Sequence, residues 1–174
     1  MQPEEQSVLD SYWVIPGRFM AGEFPSAQNE KTAWEKISWL LHHNLNHFID
    51  LTETGEYGLQ SYRRFLSEDA INIRYEITYQ RFPITDMQTP TRELMRDILN
   101  AIDEALNSGK NVYLHCFGGI GRTGTVVGCY LVRHGMEGYH ALEQIARWRL
   151  DSSQGWRISP ETKHQRDFVL SWKG

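Results

Sequence analysis

One short stretch concentrates the reactive side chains of this 174-residue chain: His115-Cys116-Phe117-Gly118-Gly119-Ile120-Gly121-Arg122-Thr123-Gly124. Cys116 supplies a thiol, whose deprotonated form is the nucleophile and is favoured where helix N–H groups point at it. Gly118, Gly119 and Gly121 let the backbone curl until successive N–H groups face one point, an anion-binding nest. Arg122, six positions after Cys116, closes the ring with a planar fork that matches two phosphate oxygens. A nucleophile, a cradle for a tetrahedral oxyanion and a fixed cation would then share one loop. Each part has an ordinary alternative: a lone cysteine after an apolar strand is commonly a small core residue, and Gly-x-Gly is commonly a turn. The complete string His-Cys-x-x-Gly-x-x-Arg-Thr-Gly on a strand–loop–helix junction is what favours chemistry.

The elements that must position this loop are legible too. Val112-Tyr113-Leu114 is the short apolar run of a strand buried on both faces, and Val126 to Val132, with its flanks, is long enough for a core helix. His47 to Thr52 reads as a strand closed by Thr54-Gly55, and Leu59 to Ser67 as a short helix. Tyr75, Ile77 and Tyr79 alternate as a strand that runs into Phe82-Pro83-Ile84. Thr91 to Ser108 is the clearest helix: Leu94, Ile98, Ala101, Ile102, Ala105 and Leu106 share one stripe, Thr89 or Thr91 can cap it, and Gly109 ends it. Ala33 to His43, Ala141 to Leu150 and Glu161 to Trp172 read as helices, and Tyr12 to Ala21 as a hairpin around Pro16-Gly17. This alternation predicts an α/β fold with a central, mostly parallel sheet flanked by helices, in which ligands bind beyond the C-terminal ends of the strands. The loops after Ile84 and His115 both fall there. No repeat, low-complexity tract or linker interrupts the chain, so one domain is expected over residues 1–174.

The loop resembles the His-Cys-x5-Arg-Ser/Thr signature of the cysteine-dependent protein tyrosine and dual-specificity phosphatases, and the chain resembles their compact dual-specificity group. The resemblance implies a protein tyrosine phosphatase-like fold and a two-step phosphoryl transfer. Cys116 would attack phosphorus and form a phosphocysteine that water then hydrolyses. Arg122 and the amides of Phe117, Gly118, Gly119, Ile120, Gly121 and Arg122 would hold the equatorial oxygens as charge builds. Thr123 would donate a hydrogen bond to the departing Cys116 sulfur, and His115 would tie the loop down from behind. The leaving oxygen also needs a carboxylic acid. Asp86, in the proline-bracketed loop Pro83 to Pro90 and 30 residues before Cys116, is similar to the family's acid, although Thr85 rather than proline directly precedes it. Capping of the following helix is the structural alternative for Asp86. Asp50, Glu53 and Glu56 compete less well, though the two glutamates could face substrate. Gln165 matches the second of two family glutamines that position the attacking water, with Glu161 where the first would stand; a solvated helix face is the alternative. Tyr57 could flank a substrate's phenyl ring.

Composition sets the outer limits. The chain carries 18 Lys+Arg against 22 Asp+Glu, a formal charge of −4, and is 40% apolar and 12% aromatic, enough for a core. No run approaches the ~20 apolar residues of a membrane span, the N-terminus lacks a signal-peptide pattern, and no basic tract suits nucleic acid. Two cysteines make neither a disulfide framework nor a four-thiolate zinc site, and Cys129 reads as core. His42, His43 and His47 could mimic a metal cluster, but Asn44-Leu45-Asn46 breaks the helix between them. Trp34, Trp39, Trp148 and Trp172 read as core, and Trp156 as a loop anchor or cleft border. Family members that act on phosphoinositides tend to carry lysines in this loop, so the resemblance, with no lysine between Cys116 and Arg122 and a charge of −4, implies phosphoprotein over polyphosphorylated lipid or RNA ends. The expectation is a monomeric protein phosphatase of the reducing cytoplasm, free of metal and cofactor. It would act on phosphotyrosine and extend to phosphoserine and phosphothreonine, with a phosphorylated protein or peptide as partner and neither nucleic acid nor membrane. The alternatives are a small-molecule, inositol-phosphate or phosphoinositide phosphatase, and a non-catalytic phosphoresidue-binding module.

Overall fold

The apolar run before Cys116 becomes the middle strand of a five-stranded sheet in the computed structural model, which describes residues 7–69 and 76–174. Strands β1 (Ser11–Ile15) and β2 (Phe19–Gly22) form the antiparallel hairpin expected at Pro16-Gly17. β3 (His47–Asp50), β4 (Thr78–Arg81) and β5 (Val112–His115) complete the order β1-β2-β5-β3-β4, in which every pairing beyond the hairpin is parallel. Helices α1 (Glu30–His42), α2 (Arg63–Asp69), α3 (Arg92–Asn107), α4 (Gly121–Arg133), α5 (Gly138–Trp148) and α6 (Lys163–Leu170) cover the sheet. The α/β reading therefore holds.

Strand alternation sorts the core into two layers. Val112 and Leu114 of β5 and Ile49 of β3 pack with Met95, Ile98, Val126, Ile145 and Val169 from α3 to α6. Tyr113 of β5 and Phe48 of β3 point the other way, toward Ile37 and Leu40 of α1 and Phe65 of α2. A strand covered on both faces has no polar side to write, which is why β5 reads as a continuous apolar run. His115 follows Tyr113 onto the α1–α2 side, so Cys116 emerges at the sheet's C-terminal edge.

Side-chain caps fix three of the helix starts: Asn29 accepts from Thr32 N–H, Thr91 from Leu94 N–H, and Thr162 from Gln165 N–H. Thr91, not Asp86, caps α3, so Asp86 is left for another task. α2 begins at Arg63, later than the sequence suggests, because Leu59 is extended (φ −58°, ψ 129°) and the chain carries Tyr62 into the core first. Tyr75, the first residue of the expected β4 alternation, lies outside the described residues. His42 and His43 bond the carbonyls of Ser38 and Trp39 within their own helix, and His47 bonds Thr78 Oγ1. Trp172 is buried and Trp34, Trp39 and Trp148 are half-buried against the core, whereas Trp156 is 82% exposed. Cys129 is fully buried, and burial pushes its thiol far above the ordinary range. No helix among the described residues is long and apolar enough to cross a membrane.

Candidate active site

The loop from Cys116 to Arg122 is held from outside by its carbonyls. His115 Nδ1 donates to Cys116 O (3.0 Å), Phe24 N–H to Phe117 O (2.9 Å), Ser159 Oγ to Ile120 O (2.7 Å) and Thr125 Oγ1 to Gly121 O (2.8 Å). With these carbonyls engaged, the intervening N–H groups are left for a ligand. Among the described residues, those of Phe117 to Ile120 meet no protein acceptor. Gly119 makes the curl, with φ +68° and so little room that a Cβ would lie 2.5 Å from the Gly22 carbonyl carbon. α4 then starts without a side-chain cap, leaving its first N–H groups open toward the loop. A nest of amides at a helix N-terminus suits a tetrahedral anion.

Behind the loop, His115 is fully buried between Tyr62, whose hydroxyl donates to Nε2 (2.6 Å), and the Cys116 carbonyl. That arrangement fixes the neutral tautomer with the proton on Nδ1. Burial holds the His115 pKa below the usual range, with nearby Asp50 pulling the other way. Asp50 is buried as well, and burial would raise its carboxyl. The hydrogen bonds donated by Thr52 and Tyr79 work against that, and the carboxyl is held low overall. His115 thus bonds the loop from behind through the Cys116 carbonyl.

Arg122, 1% exposed, is gripped more firmly than its motif alone predicts. Glu56 pairs with it bidentately, Oε1 at 2.5 Å from Nη2 and Oε2 at 2.7 Å from Nη1. Asp86 Oδ1 lies 3.0 Å from Nη2, and Nη1 also donates to Ile84 O at 2.9 Å. Burial would lower the guanidinium pKa, but Glu56, Cys116 and Asp86 raise it overall, so it stays a cation. Arg122 Nε and Thr123 Oγ1 are buried with no partner among the described residues. Arg122 Nε is left for an oxyanion and Thr123 Oγ1, which does not bond the Cys116 sulfur in this structure, is left free to meet a thiolate; Cys116 itself is 3% exposed.

Glu56, which the sequence ranks below Asp86 and allows only to face substrate, instead holds Arg122. It stands in a 3-10 turn, Glu56–Gly58, flanked by Gly55 (φ +75°) and closed by Gly58 (φ +71°), and this tight turn aims it back across the sheet edge. The turn also carries Tyr57, whose hydroxyl donates to Asp86 Oδ2 at 2.6 Å and whose ring lies 5.0 Å from that of Phe117. Gln165 is buried rather than solvated. Its Oε1 accepts from Thr162 N–H, its Nε2 donates to Gln88 O (3.2 Å), and its amide lies where a Cβ on Gly121 would touch it. It bridges the Asp86 loop and the start of α4. Glu161 instead pairs with Arg157. The structure therefore brings Cys116, Arg122, Asp86, Thr123, His115 and Gln165 together around one nest.

A family model described as "Polymorphic toxin system, DSP-PTPase phosphatase" matches residues 25–136. The chain is 32% identical to the putative tyrosine phosphatase 067L of Invertebrate iridescent virus 3 over 123 residues, 68% of this chain and 44% of that protein. It is 27% identical to the dual specificity protein phosphatase CDC14B of Mus musculus over 132 residues, 72% of this chain and 24% of that protein. It therefore spans less than half the length of these curated relatives. The crystal structure of Tk-PTP in the active form shares the fold, with TM-score 0.72, 24% identity and coverage of 97% of this chain and 95% of that one. The chain belongs to the DSP-PTPase phosphatase family.

Proposed function

We propose that the chain is a metal-independent phosphatase that hydrolyses phosphomonoesters on proteins, phosphotyrosine first and phosphoserine or phosphothreonine second. The observation that carries this reading is the pair of buried, unpartnered donors Arg122 Nε and Thr123 Oγ1, together with the amides of residues 117–120, which meet no acceptor among the described residues. In the first step the Cys116 thiolate attacks phosphorus. An S–P bond forms as the P–O bond to the leaving group breaks, and Asp86 gives its proton to the departing oxygen. In the second step water attacks the phosphocysteine, Asp86 takes the water proton, and the S–P bond breaks to release inorganic phosphate and thiolate. Thr123 Oγ1 stabilises that thiolate, and Gln165, set between the acid loop and α4, orients the water. Arg122 and the amides stabilise the equatorial oxygens in both steps.

The surroundings of the site support a protein substrate. Glu53, Glu56 and Asp86 are tied together around Arg122, and the groove beside Phe117 is lined by uncharged residues. Extra phosphates there would meet carboxylates, and the second cation near Cys116, Arg149, is only 4% exposed. The test is a panel of phosphotyrosine, phosphoserine and phosphothreonine peptides, phosphoinositides and inositol phosphates, run with wild type and Cys116→Ser in EDTA. Wild type should release phosphate fastest from phosphotyrosine peptides and Cys116→Ser should release none. Preferred turnover of an inositol phosphate would overturn the substrate class, and inhibition by EDTA would overturn the metal-free mechanism.

A further inference from the structure

Asp86 is held by more than its own loop. Thr85 Oγ1 donates to Glu53 Oε1 at 3.3 Å, Tyr57 Oη donates to Asp86 Oδ2 at 2.6 Å, and Glu56 and Asp86 share the Arg122 guanidinium. The acid loop and the turn after β3 are thus laced together across the mouth of the site. Tyr57 is the unusual member. It adopts φ +50°, a left-handed conformation that costs a tyrosine more than a glycine, yet it is 66% exposed and adds little to the core. A strained, exposed aromatic is not explained by packing.

We infer that Tyr57 is a positioning residue for proton transfer: its hydroxyl fixes Asp86 Oδ2, which assigns the transferable proton to Oδ1, and its ring with that of Phe117 forms the wall that an aryl leaving group meets. This inference rests on the phosphatase reading above. Asp86 Oδ1 is the oxygen that faces Arg122 Nη2, 3.0 Å away, so it lies over the cation that would hold the phosphate. Oδ2, occupied by Tyr57, cannot rotate into that place without breaking a charge-assisted bond. The hydrogen bond to Asp86 raises the Tyr57 phenol above its ordinary pKa, so it remains a donor across neutral pH. The Tyr57 and Phe117 rings, 5.0 Å apart and both exposed, border a groove of about 260 Å³ that continues past Phe24, Gln28 and Gln60. Leaving groups with an aromatic ring would find their partner there.

Leaving-group dependence separates this role from mere support of the fold. Tyr57→Phe keeps the ring and removes only the hydroxyl. It should lower kcat for phenyl phosphate, a poor leaving group that needs the acid, by about tenfold or more. For p-nitrophenyl phosphate, which needs little protonation, kcat should stay within about threefold of wild type. The double variant Tyr57→Phe/Asp86→Asn should be no slower on phenyl phosphate than Asp86→Asn alone, since the hydroxyl acts through that carboxyl. Tyr57→Leu should in addition raise KM for both aryl esters, which Tyr57→Phe should not. An equal fall on the two esters, or multiplied losses in the double variant, would overturn the inference while Cys116-dependent turnover persisted. Wild-type turnover that survived Cys116→Ser would overturn the phosphatase reading and this inference with it.

Discussion

Glu56→Gln is the substitution whose consequence the geometry fixes most closely. Both Glu56 oxygens accept from Arg122, at 2.5 and 2.7 Å, and the two side chains are 7% and 1% exposed. Glutamine keeps the shape but offers one acceptor to two donors and sets its own N–H₂ against the second. Removing one partner of a buried pair costs about 3–5 kcal/mol when the other charge is left uncompensated. Here Asp86 at 3.0 Å and Ile84 O at 2.9 Å remain, so a loss of about 1.5–3 kcal/mol, the range of a hydrogen bond to a charged group, is expected. For a chain of this size that lowers Tm by roughly 3–12 °C. Circular-dichroism melts should be run in phosphate-free buffer and repeated with added inorganic phosphate, because a ligand that binds only the folded state raises Tm. The variant should melt lower and gain less from phosphate, and its kcat/KM should fall by about tenfold or more as the guanidinium loses its orientation. Unchanged Tm with an unchanged phosphate shift would refute the claim that Glu56 holds Arg122.

Two further outcomes follow from the same structure. Gly119→Ala places a Cβ within 2.5–2.7 Å of the Gly22 and Glu23 backbone at φ +68°, where no rotamer can relieve the clash. It should abolish phosphate binding and cost about 2–4 kcal/mol, and activity within twofold of wild type would contradict the loop geometry. Acidification should also destabilise the fold: burial lowers the pKa of both His115 and His47, with Lys110 adding to the effect at His47. The unfolded chain therefore binds more protons below about pH 6.5, so this stability is complete above that value and is lost as pH falls from there toward the folded-state pKa values. Asp50, held low, keeps its contribution through that window and loses it only in stronger acid. Melts at pH 7.5 and 5.5 would show the difference, and equal Tm values would count against two buried neutral histidines.

Much of this was legible before any coordinates, for physical reasons that differ by residue. A doubly buried strand writes itself as Val112-Tyr113-Leu114, and the glycine-rich string after it has few uses besides an anion nest. Asp86 stands out because prolines bracket its loop, while the start of α3 is legible only to within Thr89 or Thr91, of which the structure uses Thr91. Glu56 did not stand out: its partner lies 66 residues away, and a glutamate between glycines looks like any solvated turn. The spacing of Gly55 and Gly58 was the one local hint of a tight, inward-aimed turn. Gln165 reads in sequence as a water-positioning residue or part of a solvated helix face; its capping box with Thr162 and its burial against Gly121 come from the structure, since the burial depends on where α6 meets α4. Tyr62 and His115 likewise meet only because Leu59 to Tyr62 stays extended.

The account turns on a covalent intermediate at Cys116, and acid quenching during turnover tests it most directly. Asp86→Asn enzyme mixed with p-nitrophenyl phosphate, quenched and mapped by mass spectrometry, should carry one phosphoryl group on the peptide containing Cys116. Cys116→Ser should carry none and should not turn over. Sustained hydrolysis by wild type with no phosphoryl group on Cys116 at any quench time, or unimpaired hydrolysis by Cys116→Ser, would contradict it.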